Sequence, residues 1–116
     1  MKNKISSPPL SKFRRAGNMI FTAGQLPRGA DGKIVDGDIG VQTRQVIENL
    51  EAVLRDAGAD LTHVVKITAW LTDAQFMPQF DAVYREFFRQ SFPARSTVIS
   101  GLVAGDVEIE AVAWVE

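Results

Sequence analysis

Two segments with helical periodicity alternate with segments of strand periodicity, and this order constrains the fold more than any other feature. From about residue 41 to 57, apolar residues recur at helical spacing: Val46, Leu50, Val53, Leu54 and Ala57. A second apolar stripe comprises Met77, Phe80, Val83, Tyr84, Phe87 and Phe88. The strand-like segment "HVVKITAWL" lies between the two. Strand–helix–strand crossovers normally turn right-handed, so both helices are predicted to cover one face of a sheet.

The remaining strands complete an α+β fold with one mixed sheet. The segment "SKFRRAGNMIFTAG" predicts a hairpin that turns at 16–18, and a brief strand is expected at 33–35. Two further strands are predicted at about 94–99 and 107–115. The 116 residues fit a single domain, residues 1–116, of which 1–10 form a loosely ordered leader that contains two prolines.

The second face of this sheet needs a partner. In the last strand, Val107, Ile109, Ala111, Ala113 and Val115 alternate with Glu108, Glu110, Val112 and Trp114. In the middle strand, Val65, Ile67, Ala69 and Leu71 alternate with Val64, Lys66, Thr68 and Trp70. The tryptophans with interspersed charges favour a self-associating face, with Lys66 paired to Glu108 or Glu110. The alternative is a solvated antiparallel face with exposed tryptophans.

Composition excludes several classes of function. The net charge of −1 provides no overall positive field for nucleic acid, and the basic cluster near the N-terminus is expected to be solvated: Lys2, Lys4, Lys12, Arg14 and Arg15. There is no cysteine, and His63 is the single histidine, so we expect no metal and no cofactor. No apolar run has the length of a signal peptide core or a membrane span, so a cytoplasmic protein is predicted.

An arginine stands in an unexpected place in "SFPARSTVIS", residues 91–100. Arg95 begins a strand of buried type, two residues after Pro93. Most arginines in such positions are exposed or ion-paired structural residues. The other interpretation is a binding group, because a guanidinium presents a planar fork of donors that matches a carboxylate.

Five motifs decide between these interpretations. "RAGNMIFTAGQLP", "QTRQVIENLEAVLRDAGADLTHVVKITAWLTD", "VYREFF", "FPARSTV" and "VEIEAVAW" resemble, in order and spacing, the RidA/YjgF family of enamine and imine deaminases, also called endoribonuclease L-PSP. The resemblance extends from about Lys12 to Trp114. It implies a fold similar to chorismate mutase: a six-stranded sheet, two helices on one face, and a homotrimer whose sheets form an inner barrel with ligand sites between subunits.

The resemblance also implies a chemistry and a set of site residues. A 2-imino or 2-enamino acid such as 2-aminoacrylate would be hydrolysed to a 2-keto acid and ammonia without a metal. Arg95 matches the arginine that grips the substrate carboxylate. Glu108 matches the acidic residue that holds water or moves a proton, although Glu110 shares its face. Gly24 offers a backbone amide to the ligand.

This sequence departs from the deaminating members at four positions of the expected pocket. Leu10 stands where they have tyrosine, Ala23 where they have serine, Thr97 where they have cysteine, and Asp81 where they have asparagine. Three functions therefore remain open: an imine deaminase, a non-catalytic binder of small carboxylates or of a partner protein, and, with least support, an RNA-acting protein.

Overall fold

The computed structural model describes residues 7–89 and 91–116 as two helices packed on one sheet. The strands are β1 (Phe13–Ala16), β2 (Met19–Thr22), β3 (Val64–Leu71), β4 (Ala94–Ile99) and β5 (Val107–Trp114). The helices are α1 (Ile39–Asp56) and α2 (Met77–Phe87). Short 3-10 turns, Leu61–His63 and Ala74–Phe76, precede β3 and α2. Of the predicted leader, residues 1–6 lie outside the described residues, whereas 7–10 are exposed and belong to no helix or strand.

The sheet is mixed, as predicted, with the strand order β1-β2-β5-β3-β4. β3 and β4 are parallel and are joined through α2, whereas the other neighbouring strands are antiparallel. β5 pairs with both β2 and β3, so the last strand of the chain lies at the centre of the sheet.

The described residues form five strands, so the expected six-stranded sheet is wrong. Residues 33–35 do not join the sheet because they pair with the chain just before them. Gly29 donates its N–H to Lys33 O at 2.8 Å, and Val35 donates to Pro27 O at 2.9 Å. A bridge between Arg28 and Ile34 closes this small loop. Its backbone groups are therefore satisfied locally.

Both helices cover the same face of the sheet, as predicted. The core contains the inward side chains of β5 and β3 and the apolar stripes of both helices; fully buried members include Ile47, Leu50, Ile67, Phe80 and Ile109. Asp38 caps α1 by accepting from Val41 N at 3.0 Å, and its second oxygen accepts from Gln79 Nε2 of α2 at 3.0 Å. The cap thus also links the two helices.

A β-bulge changes the predicted alternation at the start of β3. The register with β5 shifts between Val64 and Lys66, so Val64 is 7% exposed and faces the core while Val65 is 47% exposed. Uninterrupted alternation instead predicts Val65 on the core face with Ile67, and Val64 on the opposite face. A bulge inserts one extra residue, so alternation counted across it assigns the residues before it to the wrong faces.

The face away from the helices is uncovered in the single chain and is called the open face here. Phe21, Val65 and Trp114 are exposed on it, and Trp70, Glu108 and Glu110 are partly exposed. The proposed pairing of Lys66 with Glu108 or Glu110 is wrong, because Lys66 Nζ donates to Ser96 Oγ of β4 at 2.8 Å. The residue opposite Lys66 on β5 is Val112.

No helix within residues 7–89 and 91–116 combines the length and the apolar character needed to cross a bilayer.

The loop between β4 and β5 is anchored next to the start of β5. Asp106 N donates to Gln42 Oε1 at 2.9 Å, and Asp106 accepts from Thr72 Oγ1 at 2.8 Å. Gly105 precedes it with φ of +70°, and a Cβ there would lie 2.7 Å from Pro27 Cγ. Glycine is therefore required at this position for both conformation and space.

We expect Gly105→Ala to lower the free energy of unfolding by about 1 to 3 kcal/mol, because the new side chain would strain the backbone and collide with Pro27. Gly101→Ala in the same loop is the matched control, since a Cβ there meets nothing within 4 Å. Urea denaturation of both variants measures the difference, and equal stability of the two would contradict this account of the loop.

Candidate functional site

Arg95 lies on the face of the sheet that the helices cover. It is the second residue of β4 and is paired with the buried Ile67 of β3. Its guanidinium lies against two rings of α2, with Cζ 4.8 Å from the Tyr84 ring centroid and 5.2 Å from that of Phe80. Such ring faces attract a cation and restrict its orientation. The side chain is 23% exposed, so one side of the guanidinium still reaches solvent.

Asp81 is the charged partner of Arg95 within the described residues. Arg95 Nη2 lies 2.8 Å from Asp81 Oδ1, and the Asp81 side chain is 33% exposed. The contact is close, but its angles do not form a hydrogen bond: Asp81 Oδ1 is buried without a hydrogen-bond partner there. The pair is thus held by charge, and most of the guanidinium's five N–H donors remain available.

These residues line a cleft of about 180 Å³ between α2 and the start of β4. Its walls are Asp81, Tyr84, Arg85, Phe92, Pro93 and Arg95. The sequence predicts Arg95 and Asp81 as site residues and Tyr84 as part of an apolar helix stripe; Arg85 is not among the predicted site residues. Asp81, Tyr84 and Arg85 are spaced i, i+3 and i+4, so they share one face of α2, and this spacing is a signal that could have grouped them.

Tyr84 is the neutral polar group of the cleft. Burial raises its pKa to about 12, with the nearby Arg95 lowering it and Asp81 raising it. Its hydroxyl is buried and has no hydrogen-bond partner among the described residues. At neutral pH the hydroxyl therefore keeps its proton, and Tyr84 adds no negative charge beside Arg95.

Glu108 lies on the open face, away from Arg95. It is paired with Trp70 in the register of β3 and β5, and Glu110 follows it on the same face opposite Thr68. Burial raises the pKa of Glu108, and the neighbouring charge of Glu110 raises it further. A carboxyl group with a raised pKa is better suited to exchange protons near neutral pH.

Gly24 is in direct contact with the Glu108 side chain. Gln25 and Ile109 exchange backbone hydrogen bonds at 2.8 and 3.1 Å, which brings residues 23–25 alongside β5. A Cβ on Gly24 would collide with Glu108 Oε2. This contact distinguishes Glu108 from Glu110 as the carboxylate nearer to Gly24.

Two other predicted site residues lie apart from the cleft that Arg95 lines. Thr97 is on the same face of β4 as Arg95, paired with Ala69 and partly buried. Leu10 is 63% exposed and precedes β1. Within one chain, the predicted residues thus form two half-sites. The Arg95 half-site contains the predicted Arg95 and Asp81 together with Tyr84, which was not predicted, and the Glu108 half-site contains Glu108, Gly24 and Ala23.

The basic cluster is only partly described. Lys12, Arg14 and Arg15 are exposed, the two arginines on the edge strand β1, whereas Lys2 and Lys4 lie outside the described residues. His63 is engaged as a turn cap, since its Nδ1 accepts from Asp60 N at 3.1 Å. Nothing here distinguishes this cluster from an ordinary solvated edge strand.

Comparison with known proteins places the chain in a family. Residues 1–115 match the family model described as endoribonuclease L-PSP. The chain belongs to the endoribonuclease L-PSP family. The predicted resemblance to RidA and YjgF is thereby confirmed.

Several members of the endoribonuclease L-PSP family match over nearly their whole lengths. A RutC family protein of Pyrococcus abyssi is 45% identical over 111 residues, which cover 93% of this chain and 87% of that protein. The crystal structure of RidA from an Antarctic Psychrobacter superposes with a TM-score of 0.88 at 30% identity, covering 93% of this chain and 89% of that one. The structure of E. coli TdcF with bound serine also gives 0.88 at 30% identity, covering 95% and 91%.

We expect Glu108 in this L-PSP protein to titrate above its ordinary pKa of 4.5. The variant Glu110→Gln should lower the pKa of Glu108 by removing the adjacent negative charge, without abolishing the shift, because burial is its larger cause. Side-chain carboxyl ¹³C chemical shifts followed against pH measure both values.

Glu51→Gln is the matched control for that titration, because Glu51 lies on the outer surface of α1 in an ion pair with Arg55. It should leave the pKa of Glu108 unchanged. A wild-type Glu108 that titrates at or below 4.5 would contradict the described environment.

Proposed function

We propose that this protein is a hydrolytic deaminase that converts reactive 2-imino or 2-enamino acids, such as 2-aminoacrylate, to 2-keto acids and ammonia. The observation that carries the proposal is the Arg95 guanidinium, held against the Tyr84 and Phe80 rings at the edge of an open cleft. Membership of a family that includes RidA supports the reaction class.

Arg95 is suited to bind the carboxylate of such a substrate. Its positive charge is permanent, and its fork of donors matches the two carboxylate oxygens. The rings beneath it fix the plane of the fork before the ligand arrives, which reduces the ordering cost of binding. The structure of the relative TdcF contains bound serine, a small molecule with a carboxylate, and this is consistent with the proposed role.

Glu108 is proposed to position the attacking water. A 2-enamino acid first gains a proton from solvent at C3, and a 2-imino acid gains one at nitrogen, so that both give the iminium acid. The water oxygen then adds to C2 while the water loses a proton to Glu108, which gives a tetrahedral carbinolamine. The C2–N bond then breaks, ammonia leaves, and the C2 hydroxyl loses its proton to form the keto acid. Glu108 would take a proton from water and return it to nitrogen, a role for which its raised pKa is suitable.

The two half-sites can act on one ligand only if they come from different subunits. Arg95 lies on the face covered by the helices and Glu108 on the open face of the same sheet. We therefore propose a homotrimer in which the open faces pack together and each site joins the Arg95 half-site of one subunit to the Glu108 half-site of its neighbour. The exposed Trp114 and Phe21 give the open face its apolar character.

A second candidate function is the binding of small carboxylates without catalysis. Ala23, which precedes Gly24, and the exposed Leu10 lack two hydroxyl groups that deaminating relatives are expected to have. In that case Arg95 would still bind carboxylates, and water addition would be no faster than in buffer.

We expect Arg95→Lys to lower kcat/KM for 2-aminoacrylate by about 10- to 150-fold, because an ammonium replaces the fork and forfeits about 1.5 to 3 kcal/mol of charge-assisted bonding. Stopped-flow absorbance of the decaying imine measures the rate. If wild-type protein leaves the buffer rate unchanged while calorimetry detects 2-ketobutyrate binding, the second candidate is correct.

Arg44→Lys provides the matched control. Arg44 also pairs with a carboxylate of α2, Glu86 at 2.7 Å, and lies 5.6 Å from the Phe87 ring centroid, but it is outside the cleft of Arg95. It should retain wild-type turnover. Equal losses in both variants would show that stability rather than carboxylate binding is affected.

Mixed oligomers test the shared site. Arg95→Ala and Glu108→Gln should each be inactive alone, but every mixed trimer has one interface that combines an intact Arg95 with an intact Glu108. Random mixing of equal amounts should therefore restore about a quarter of wild-type activity. Co-refolding of differently tagged variants, followed by tandem purification, gives the mixed species.

Glu108→Gln mixed with Glu108→Ala is the control, because no interface then has an intact Glu108 half-site. Verified mixed trimers without recovered activity would refute the shared site. A monomer in sedimentation velocity at micromolar concentration would refute the trimer itself.

A further inference from the structure

We infer that Asp81 makes the cleft selective for ligands that carry a positive charge next to their carboxylate, and that the substrate binds as the zwitterionic iminium acid. The inference rests on the part of the proposed function that places a ligand carboxylate on Arg95. It assigns a specificity-determining role to a residue of the cleft that the proposed reaction does not otherwise use.

The first step is the charge arrangement in the cleft. Arg95 and Asp81 present opposite charges 2.8 Å apart, and both line the same cavity. The remaining cation, Arg85, is directed to the ring of Phe92, with Cζ 5.8 Å from the centroid. A carboxylate bound to Arg95 is therefore attracted by the guanidinium and repelled by the Asp81 carboxylate beside it.

The second step is the geometry of the ligand. In an α-amino or α-iminio acid, the nitrogen lies about 2.5 Å from the carboxylate carbon, because both are bonded to C2. This separation is similar to the spacing of the Arg95 and Asp81 charges. A zwitterion can therefore lie antiparallel to the ion pair, with its carboxylate on Arg95 and its nitrogen at Asp81. A keto acid of equal size satisfies only Arg95.

The third step is the state of Asp81. Its Oδ1 is buried against Arg95, whereas the side chain as a whole is 33% exposed, so a ligand N–H donor meets the exposed part of the carboxylate rather than Oδ1. An asparagine at this position would present both a donor and an acceptor and no charge. Aspartate only accepts, so it favours a cationic nitrogen and disfavours a carbonyl oxygen in the same place.

This selectivity has a consequence for turnover. Protonation of the imine nitrogen makes C2 more electrophilic toward water, and Asp81 stabilises that protonated form. Hydrolysis removes the positive nitrogen as ammonia, and the keto acid left on Arg95 then faces Asp81 with a neutral carbonyl. Product should therefore bind more weakly than substrate.

Calorimetry with two stable probes tests the inference without any turnover. We use 2-aminobutyrate, which is zwitterionic, and 2-ketobutyrate, which lacks the cation. Asp81→Asn should weaken binding of 2-aminobutyrate and tighten that of 2-ketobutyrate, so that the ratio of their Kd values changes by about tenfold or more. A general loss of structure would weaken both and leave the ratio unchanged.

Two further variants separate charge from other effects. Glu86→Gln removes another α2 carboxylate that is paired with an arginine outside the cleft, and it should leave the ratio as in wild type. Asp81→Ala should shift the ratio in the same direction as Asp81→Asn, since both remove the charge. A shift in Asp81→Asn alone would overturn the charge argument.

The remaining outcomes are also decisive. If both probes bind and the ratio of their Kd values stays within twofold in all variants, the inference is wrong, whereas the proposed binding of carboxylates by Arg95 is retained. If neither probe binds to wild-type protein or to any variant, the proposed binding of carboxylates by Arg95 is wrong, and the inference is wrong with it. If the ratio shifts but the protein does not accelerate imine hydrolysis, the inference is supported and the proposed deaminase activity is rejected.

Discussion

The permanent positive charge of Arg95 is the constraint on which the geometry of the described cleft depends. Arg95 cannot lose its proton, so the fold has to accommodate its charge on the sheet face that otherwise forms the core. It does so at an edge strand, where the rings of Tyr84 and Phe80 support the guanidinium and Asp81 partly compensates its charge. The cleft and its solvent access follow from this placement of the guanidinium, and so does the inferred preference for zwitterionic ligands.

The sheet separates the two groups that the proposed reaction must bring together. Glu108 is on the opposite face, where burial and Glu110 raise its pKa. A single subunit therefore carries the proposed carboxylate-binding group on one face of the sheet and the proposed proton-transfer group on the other. In the proposed assembly, catalysis would depend on association, so dilution or interface damage would inactivate the enzyme without altering either half-site.

Local patterns predicted much of this arrangement. Strict alternation in β5 correctly predicts Glu108 and Glu110 on the face opposite the core. The order of segments with helical and strand periodicity correctly predicts that both helices cover one face of the sheet. The β3 bulge and the self-paired loop at 28–34 could not be predicted from local patterns. The bulge depends on the register between β3 and β5, which are far apart in sequence, and the loop depends on residues 33–35 pairing with 27–29 rather than with the sheet. The Arg95–Asp81 pair likewise joins residues on separate elements. Only the i, i+4 spacing of Asp81 and Arg85 hinted that α2 supplies one wall of the cleft.

Gly24 has a significance that reaches beyond local packing. Since any Cβ there would displace the Glu108 carboxylate, the position tolerates no side chain while Glu108 keeps its present orientation. Arg95 is on the other face and would be untouched by such a change. In the proposed enzyme, one substitution at Gly24 would therefore displace the proton-transfer group and leave the carboxylate-binding group in place, a short evolutionary route from catalysis to sensing within one scaffold.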